Sequence, residues 1–391
     1  MAVPKEARGV VFGAVPCRVV PRAQPERIIM RSFTTATAYH PSPHCAPHGA
    51  AKRSPLCGLV GCAALVAGVM ASTGPSAPVG AAALTSMERS ADVLAPGAIF
   101  VANGPAGFEG GLGTGNGSIT AYPPTATGNV RPIVVITKGI LGPTGLTFDS
   151  SGDLWVANNS DSNNVVEYSK AELTSISPAP SVTISQSGSG AMGLAFDSSG
   201  DLWVTKNNST VIEFTKAQLA KSGSPVPNVT ITNTNQCSVG FDPFGDMWEG
   251  SFDTVVQDFT ETQLATSGSP TPHVTLSSGS LNVPCRPTFD AAGDMWAANY
   301  LGNTLVEFTK SQLAKSGSPT AQVTISSDYL ANPGDVAFDP AGALWVPSAL
   351  DEAVVEFTKA QLAKSGTPTP ARAIFGLATR LSWPWALAVE P

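Results

Sequence analysis

The chain has 391 residues, enough for two or three ordinary domains, and its charge is unevenly distributed. Residues 1–95 carry nine lysines and arginines against four acidic residues, whereas residues 96–391 carry thirteen against twenty-five. Nucleic acids and anionic membranes are bound through clustered basic side chains. The acidic second part therefore argues against a nucleic-acid partner.

Residues 1–95 have the character of a disordered leader that contains a signal peptide. Lys52 and Arg53 precede an apolar run at 56–71, and small residues follow the run, which is the order found in secretory signals. We therefore predict a secreted or cell-envelope protein. Two alternatives stay open, namely retention of the run as an anchor, although it is short for a span, and lipidation at Cys62. Contact with a membrane is expected only through this leader, if it is not cleaved.

Residues 96–391 begin with an incomplete unit. Ile99 to Asn103 matches the later segment Leu154 to Asn158, and two further strands are predicted at 118–122 and 133–136. This first unit lacks the strand that precedes the matching segment in every later unit.

The later units repeat one motif, which first appears as Phe148-Asp-Ser-Ser-Gly-Asp-Leu-Trp155. It returns from Phe196, Phe241, Phe289 and Phe338 at intervals of 48, 45, 48 and 49 residues. Self-similarity at this period indicates a repeat architecture. The aspartate and glycine are typical of a tight turn between two strands. The tryptophan is typical of a large apolar core residue.

Each unit continues with a third strand, a short capped helix and a fourth strand. Ser or Thr at the N-cap with Glu or Gln three residues later is the capping-box pattern; the pairs are Ser169/Glu172, Thr215/Gln218, Thr260/Gln263, Thr309/Gln312 and Thr358/Gln361. Four antiparallel strands in 45–49 residues form one blade of a β-propeller.

The end of the chain supplies the strand that the first unit lacks. The segment 384–389 matches the first strand of a unit, and nothing follows it that could complete a further blade. We therefore predict an all-β fold, a six-bladed β-propeller of four-stranded antiparallel blades with one short helix per repeat. The ring is closed by the C-terminal strand, which removes the exposed sheet edge of an open array.

The pattern Pro-x-Gly-(Leu/Val)-Ala-Phe-Asp-x-x-Gly-x-Leu-Trp-Val resembles that of the NHL-repeat and streptogramin-lyase-like six-bladed propellers, over 96–391. Fold alone does not determine activity in such a family. The resemblance extends to gluconolactonase-like propellers, which implies calcium- or metal-dependent hydrolysis by Glu, Asn and Asp ligands at the channel mouth. It also implies a histidine at this mouth for a lyase.

The candidate binding residues lie where the second strands end, at the face opposite the Asp-x-x-Gly turns. We call this the channel-mouth face. The candidates are Asn103, Asn158, Asp161, Asp253, Asn299 and Asp351. Their oxygens are of the kind that calcium prefers, so calcium is a possible cofactor, but the positions are occupied irregularly from blade to blade. No metal ligand is assigned.

No catalytic residues are predicted. The one histidine after residue 48, His273, is expected on an outer strand, so a lyase mechanism lacks its acid–base group. We therefore expect a non-catalytic propeller that binds a small molecule or protein on its channel-mouth face through loops that differ in every blade. The alternative is a calcium-dependent lactonase or esterase. A structural envelope component stays a third option.

Cys237 and Cys285 each lie four residues before a motif phenylalanine in neighbouring blades. Equivalent points on adjacent inner strands are close enough for a disulfide, and an exported protein permits one. A bridge and two buried free thiols are both compatible with the sequence.

Overall fold

The computed structural model describes residues 95–104, 116–159, 164–186, 188–232, 234 and 237–391. The predicted leader therefore lies outside the described residues, apart from Ala95. In the described ranges, twenty-four strands form six four-stranded sheets, and the paired strands are antiparallel. Within the described part of the chain, no helix has the length and apolar character needed to cross a membrane.

The first three blades follow the predicted order. The first contains β1 (Ile99–Asn103), β2 (Ser118–Tyr122) and β3 (Val134–Ile136), with β24 (Pro384–Val389) as its innermost strand. The second contains β4 (Pro143–Phe148), β5 (Leu154–Asn158), β6 (Asn164–Tyr168) and β7 (Val182–Ser185). The third contains β8 (Ala191–Phe196), β9 (Leu202–Lys206), β10 (Thr210–Phe214) and β11 (Val229–Thr232).

The other three blades have the same topology. The fourth contains β12 (Val239–Phe241), β13 (Met247–Gly250), β14 (Val255–Phe259) and β15 (Val274–Ser277). The fifth contains β16 (Pro284–Phe289), β17 (Met295–Asn299), β18 (Thr304–Phe308) and β19 (Val323–Ser326). The sixth contains β20 (Ala337–Phe338), β21 (Leu344–Ser348), β22 (Ala353–Phe357) and β23 (Arg372–Phe375).

The ring is closed where β24 pairs with β1. Ile99 lies opposite Val389 and Val101 lies opposite Leu387 in an antiparallel register. Leu387 is completely buried in a cluster that also contains Trp345 of the sixth blade. The first and last strands of the chain therefore form one blade, and the predicted six-bladed closure is confirmed.

Four of the five motif aspartates are hydrogen-bonded both to their turn and to the motif tryptophan, and Asp290 is hydrogen-bonded to its turn. Asp149 accepts hydrogen bonds at Oδ1 from the backbone of Ser151 (2.8 Å) and Asp153 (3.0 Å), and at Oδ2 from Trp155 Nε1 (3.2 Å). The same three bonds recur around Asp197, Asp242 and Asp339. The aspartate was predicted only as a turn residue, and the structure adds that it fixes the indole ring.

The motif tryptophans pack between neighbouring blades. Trp155 contacts the ring of Phe196 in the next blade edge to face, at 5.9 Å between centroids. Equivalent contacts, at 6.0–6.5 Å, join the tryptophans of the third, fourth and fifth blades to the next motif phenylalanine. Edge-to-face pairs of this kind add to the stabilisation from area burial, so the blades are joined through their own repeated motif.

The five predicted helices are present as α1 (Lys170–Leu173), α2 (Lys216–Leu219), α3 (Glu261–Leu264), α4 (Lys310–Leu313) and α5 (Lys359–Leu362). The last four have complete capping boxes. In α1 the glutamate at the third position, Glu172, accepts instead from Ala179 N at 3.2 Å. Each glutamine accepts from the N-cap N–H and also donates to a later carbonyl. A glutamate cannot make this pair of bonds, because a carboxylate has no N–H to donate.

The first blade departs from the prediction of one helix per repeat. The connection between β2 and β3 begins with Pro123-Pro124 and contains a turn instead of a helix. It has no capping pair of the kind that starts the other five helices, which is the local reason for the difference.

The inner strands approach one another closely around the central channel. A Cβ atom at Gly145 would lie 2.8 Å from the carbonyl oxygen of Met192, and one at Gly193 would lie 3.0 Å from the Cα of Ser238. Only glycine permits such backbone proximity. This explains why glycine precedes the phenylalanine in these two copies of the motif.

We expect Leu387→Ala to lower the free energy of unfolding by about 2–5 kcal/mol, because it leaves a cavity at the closing strand. The matched control is Leu377→Ala, since Leu377 is 98% exposed and its truncation is expected to change stability by less than about 0.5 kcal/mol. Urea unfolding measures both. Equal losses in the two variants would contradict the closure.

Candidate functional site

Three of the predicted binding residues are buried asparagines that hold loops at the channel-mouth face. Asn158 accepts from Leu141 N (2.9 Å) and donates to Gly139 O (2.8 Å), so its amide fixes the loop that precedes β4. Asn299 makes the equivalent pair with Asn282 N (3.1 Å) and Ser280 O (2.7 Å). Both amides therefore have a structural task at this face.

Asn103 has the same structural role in the first blade, where the ring closes. Its Oδ1 accepts from Ser382 N at 3.1 Å and its Nδ2 donates to Thr120 Oγ1 at 3.0 Å. It therefore joins the end of β1 to the loop that leads into β24. The structure does not bring the three asparagines together, because each serves its own blade. That they bind a ligand stays a prediction.

The predicted acidic candidates lie in separate loops. Asp351 is exposed and accepts from Ser348 Oγ at 2.8 Å, and Ser348 in turn accepts from Ala331 N at 2.8 Å. Asp253 is exposed in the loop between β13 and β14. Asp161 lies outside the described residues. The calcium site proposed from the sequence at this face stays a prediction.

Large apolar side chains are exposed on the same face, and none of them is among the residues predicted from the sequence. Phe252 is 50% exposed, Leu301 58% and Leu350 56%, and each lies in the loop between the second and third strands of the fourth, fifth or sixth blade. Tyr329, 43% exposed, lies in the loop between β19 and β20, which reaches the same face. We call these four residues the mouth patch. The signal that could have revealed them is a large apolar residue four or five positions after the motif tryptophan in three consecutive blades.

The loops that present the mouth patch are hydrogen-bonded to one another. Asn332 N donates to Asn303 Oδ1 at 2.8 Å, and the Asn332 side chain donates to Tyr300 O at 3.3 Å. Leu350 N donates to Ala331 O at 3.2 Å. The loops of the fifth and sixth blades are therefore braced against each other.

Cys237 and Cys285 form a disulfide, with their Cα atoms 5.4 Å apart. They pack with Val283 in a small buried cluster, against which Tyr300 and Trp385 lie. The ring centroids of Tyr300 and Trp385 are 5.1 Å apart. Of the two states that the sequence left open, the structure has the bridged one, and it joins the fourth and fifth blades near the channel mouth.

A buried ion pair crosses the channel below this cluster. Arg286 of β16 donates from Nη1 to Leu146 O of the second blade (2.8 Å) and to Asp335 Oδ2 of the sixth (3.2 Å). The same Asp335 oxygen accepts from Leu387 N of β24 at 3.1 Å. Burial raises the pKa of Asp335, whereas Arg286 and the backbone N–H groups act in the opposite sense. Four blades are thus joined through one guanidinium–carboxylate pair.

The backbone of β16 directs this arginine into the channel. Arg286 has a φ of +32° and lies where the register with β17 shifts between Cys285 and Thr288, which is a bulge. Bulges redirect side chains. On the side of the Asp-x-x-Gly turns, Arg286 lines a channel cavity of about 350 Å³ together with motif phenylalanines such as Phe148 and Phe289. Arg286 is not among the site residues predicted from the sequence.

The face that bears the Asp-x-x-Gly turns, which we call the hairpin face, has a groove between successive blades. The groove between the second and third blades has a volume of about 430 Å³ and is lined by Trp155 and Glu167. The groove between the fifth and sixth has about 480 Å³ and is lined by Trp296 and Glu307. The carboxyl groups of Asp290, Asp294 and Glu307 lie within 4.8 Å of one another.

Burial is the main cause that raises the pKa of Glu167 to about 7, and the charges of Asp153 and Asp149 add to it. Burial, followed by Asp294 and Asp290, also raises the pKa of Glu307 to about 7. These carboxyl groups therefore take up protons at a higher pH than they would in an unfolded chain.

The repeated sheets, their radial order and the closing strand define a protein of the six-bladed β-propeller class. No family model and no curated protein matches the sequence. Solved structures do match. One is a protein of unknown function from Bacteroides caccae, with a TM-score of 0.52 and 8% identity over 76% of this chain and 100% of that chain. Another is in a nidogen/laminin complex, with a TM-score of 0.51 and 11% identity over 75% and 99%.

The streptogramin lyases, to which the motif pointed, are also among the matches. Virginiamycin B lyase from Staphylococcus aureus has a TM-score of 0.43 and 18% identity over 63% of this chain and 73% of that chain. A streptogramin B lyase has a TM-score of 0.42 and 14% identity over 58% and 70%. At these identities the likeness concerns the fold. None of these matches bears the NHL name.

We expect Arg286→Met to cost about 3–5 kcal/mol of unfolding free energy, because it leaves the buried Asp335 carboxylate without its cation. The double variant Arg286→Met/Asp335→Asn is expected to recover part of this loss. Arg380→Met is the control, since Arg380 is exposed. Denaturant unfolding measures all three. A double variant less stable than the single one would contradict the ion pair.

We expect thermal stability to rise as the pH falls from 8 towards 5. The pKa of Glu167 and that of Glu307 lie near 7 when folded and near the ordinary 4.5 when unfolded, so between these values the folded state binds more protons. Glu167→Gln and Glu307→Gln should stabilise the protein at pH 8 and flatten the dependence of Tm on pH. Asp258, whose pKa is raised to about 6, accounts for part of the remaining slope. Slopes identical to that of the wild type would refute this assignment.

Proposed function

We propose that the protein is an exported, non-catalytic β-propeller that binds a protein partner through the mouth patch on its channel-mouth face. The observation that supports this most directly is the group of large apolar side chains exposed there, Phe252, Leu301, Tyr329 and Leu350. These four side chains lie in loops of neighbouring blades on one face, and exposed apolar patches are typical of protein interaction sites. Such side chains lose unfavourable contact with water when a partner covers them.

The bracing of these loops also favours recognition. Because Asn332 and Leu350 fix neighbouring loops by hydrogen bonds, a partner that binds here has little loop motion to suppress. Binding to a preorganised surface loses less conformational entropy. The loops also differ in sequence from blade to blade, as expected of a scaffold that presents a specific surface.

Two features support export. The apolar run at 56–71 follows Lys52 and Arg53, as in a secretory signal. The Cys237–Cys285 disulfide is of the kind that persists in oxidising compartments outside the cytosol.

A photo-crosslinking amino acid at position 301 or 350 tests the binding face. In the producing cells we expect adducts with one defined partner protein from these positions. The control is position 176, because Ile176 is 83% exposed but follows α1, away from the channel mouth. Leu301→Lys should reduce the adduct formed from position 350. Equal adduct yields at positions 176 and 301, or none at either, would count against the proposal.

Fractionation of the same cells tests export. We expect the full-length gene product to be recovered outside the cytosol with its N-terminus beyond residue 71. Replacing two leucines of the apolar run with aspartate should keep the protein in the cytosol, because the translocation signal needs an apolar segment. A wild-type protein found in the cytosol with its leader intact would disprove this part.

A further inference from the structure

The hairpin face has one acidic side chain beside one tryptophan in every complete blade. On adjacent strands, Trp155 lies opposite Glu167, and the same register recurs in the other four blades; the pairs are Trp203/Glu213, Trp248/Asp258, Trp296/Glu307 and Trp345/Glu356. An indole ring and a carboxylate on one side of a sheet form a suitable environment for a cation.

The sixth blade contains such a cation. Arg372 lies opposite Glu356 and donates to it from both Nε and Nη2, the latter at 2.8 Å. Its guanidinium carbon is 4.8 Å from the centre of the Trp345 ring, and Nη1 donates to Pro124 O. The guanidinium therefore has a bidentate carboxylate, an aromatic ring and a carbonyl as partners.

In the third and fourth blades another polar side chain is hydrogen-bonded to the acidic residue. Asn228 Nδ2 donates to Glu213 Oε2 at 2.9 Å, and His273 Nδ1 lies 2.9 Å from Asp258 Oδ2. In the third blade the corresponding groove has a volume of only about 200 Å³. The acidic residue therefore has a polar partner in three of the five blades.

The second and fifth blades differ at the residue that supplies this partner. Valine lies opposite the acid, at the register position of Arg372, in four blades (Val182, Val229, Val274 and Val323). Asn228 and His273 are the residues before this valine in the third and fourth blades, where the second and fifth have Ser181 and Gln322. Among the described residues, no basic or amide side chain pairs with either carboxyl group. Glu167 is nevertheless only 7% exposed and lines its groove. Both grooves, with about 430 and 480 Å³, are larger than that of the third blade.

Both grooves carry an excess of negative charge. Asp149, Asp153, Glu167 and Asp197 line the first, against the single cation of Lys216. Asp290, Glu307 and Asp339 line the second, against Lys359. A positively charged group is therefore favoured in either groove. A planar guanidinium stacks on the indole and accepts the fork of a carboxylate better than an ammonium does.

We propose that the grooves of the second and fifth blades each bind a guanidinium cation, stacked on Trp155 or Trp296 and paired with Glu167 or Glu307, as Arg372 is bound in the sixth. These sites lie on the hairpin face and are independent of the mouth patch. The carboxyl groups must be ionised to bind, so the elevated pKa of Glu167 and Glu307 implies tighter binding at pH 8 than at pH 6.

Titration of the full protein with methylguanidinium at pH 8 tests the proposal, with the indole N–H signals of Trp155 and Trp296 followed by NMR and assigned through Trp→Phe variants. We expect saturable shifts of both signals and none of Trp345. Glu167→Gln should abolish the first response and leave the second, and Glu307→Gln should do the reverse. Methylammonium, the matched cation, should bind at least tenfold more weakly. Equal responses to the two cations, or responses that survive in the Gln variants, would overturn the proposal.

Substitutions at the register position of Arg372 provide a second test. Val323→Arg should occupy the groove of the fifth blade from within, remove the response of Trp296 and leave that of Trp155. Val182→Arg should remove the response of Trp155 and leave that of Trp296. Arg372→Val should open the groove of the sixth blade, so that Trp345 begins to respond. If Arg372→Val does not fold, the two valine variants still decide, because an unchanged Trp296 response in Val323→Arg would refute the site.

The same titration with an N-acetyl-Gly-Arg-Gly amide peptide distinguishes the sources of the cation. Tighter binding of the peptide than of methylguanidinium identifies the arginine side chain of a protein as the occupant. Equal affinities identify a small free guanidinium compound. Both results support the sites, whereas absence of binding by both probes contradicts them.

Discussion

The pairing of β24 with β1 is the constraint on which the rest of the structure depends. It places the last strand of the chain at the channel, where Leu387 N meets the buried carboxylate of Asp335. That carboxylate in turn receives Arg286, whose other contact is a carbonyl of the second blade. A buried ion pair is costly unless its remaining polar atoms are satisfied, and here the closing strand supplies one of the donors. The contacts of Asp335 with Leu387 and Arg286 therefore both secure the closing strand and fill the channel.

Most of the fold was predictable because its determinants are local. The turn bonds of Asp149 span four residues and its bond to Trp155 spans six, so the motif in the sequence contains all the participants. The helix caps span three residues. The number of blades followed from counting motifs and from matching the two ends of the chain. The missing helix of the first blade also had a local sign, since no capping pair precedes 123–133.

The site was predictable only in outline, because its determinants are distant in sequence. Arg286 meets Leu146 across 140 residues, and no repeat pattern announces a residue that occurs once. The asparagines Asn103, Asn158 and Asn299 were recognised as residues of the channel-mouth face, but their hydrogen bonds to preceding loops could not be foreseen. The mouth patch becomes visible only when loops of three blades are brought to one face. The periodicity of the sequence therefore predicted the elements that all blades share. It did not predict the residues that occur in one blade only.

The position that Arg372 occupies in β23 has a consequence for how such arrays diversify. Every complete blade folds through its own turn and helix cap, neither of which involves the residue opposite the acid on the outermost strand. A substitution there, or at the preceding residue that supplies Asn228 and His273, can therefore provide or remove a partner of the acid from the same chain without altering the scaffold. Duplication of a blade would add another such pocket. Substitutions at these positions would then change the number of cation sites in the propeller one at a time.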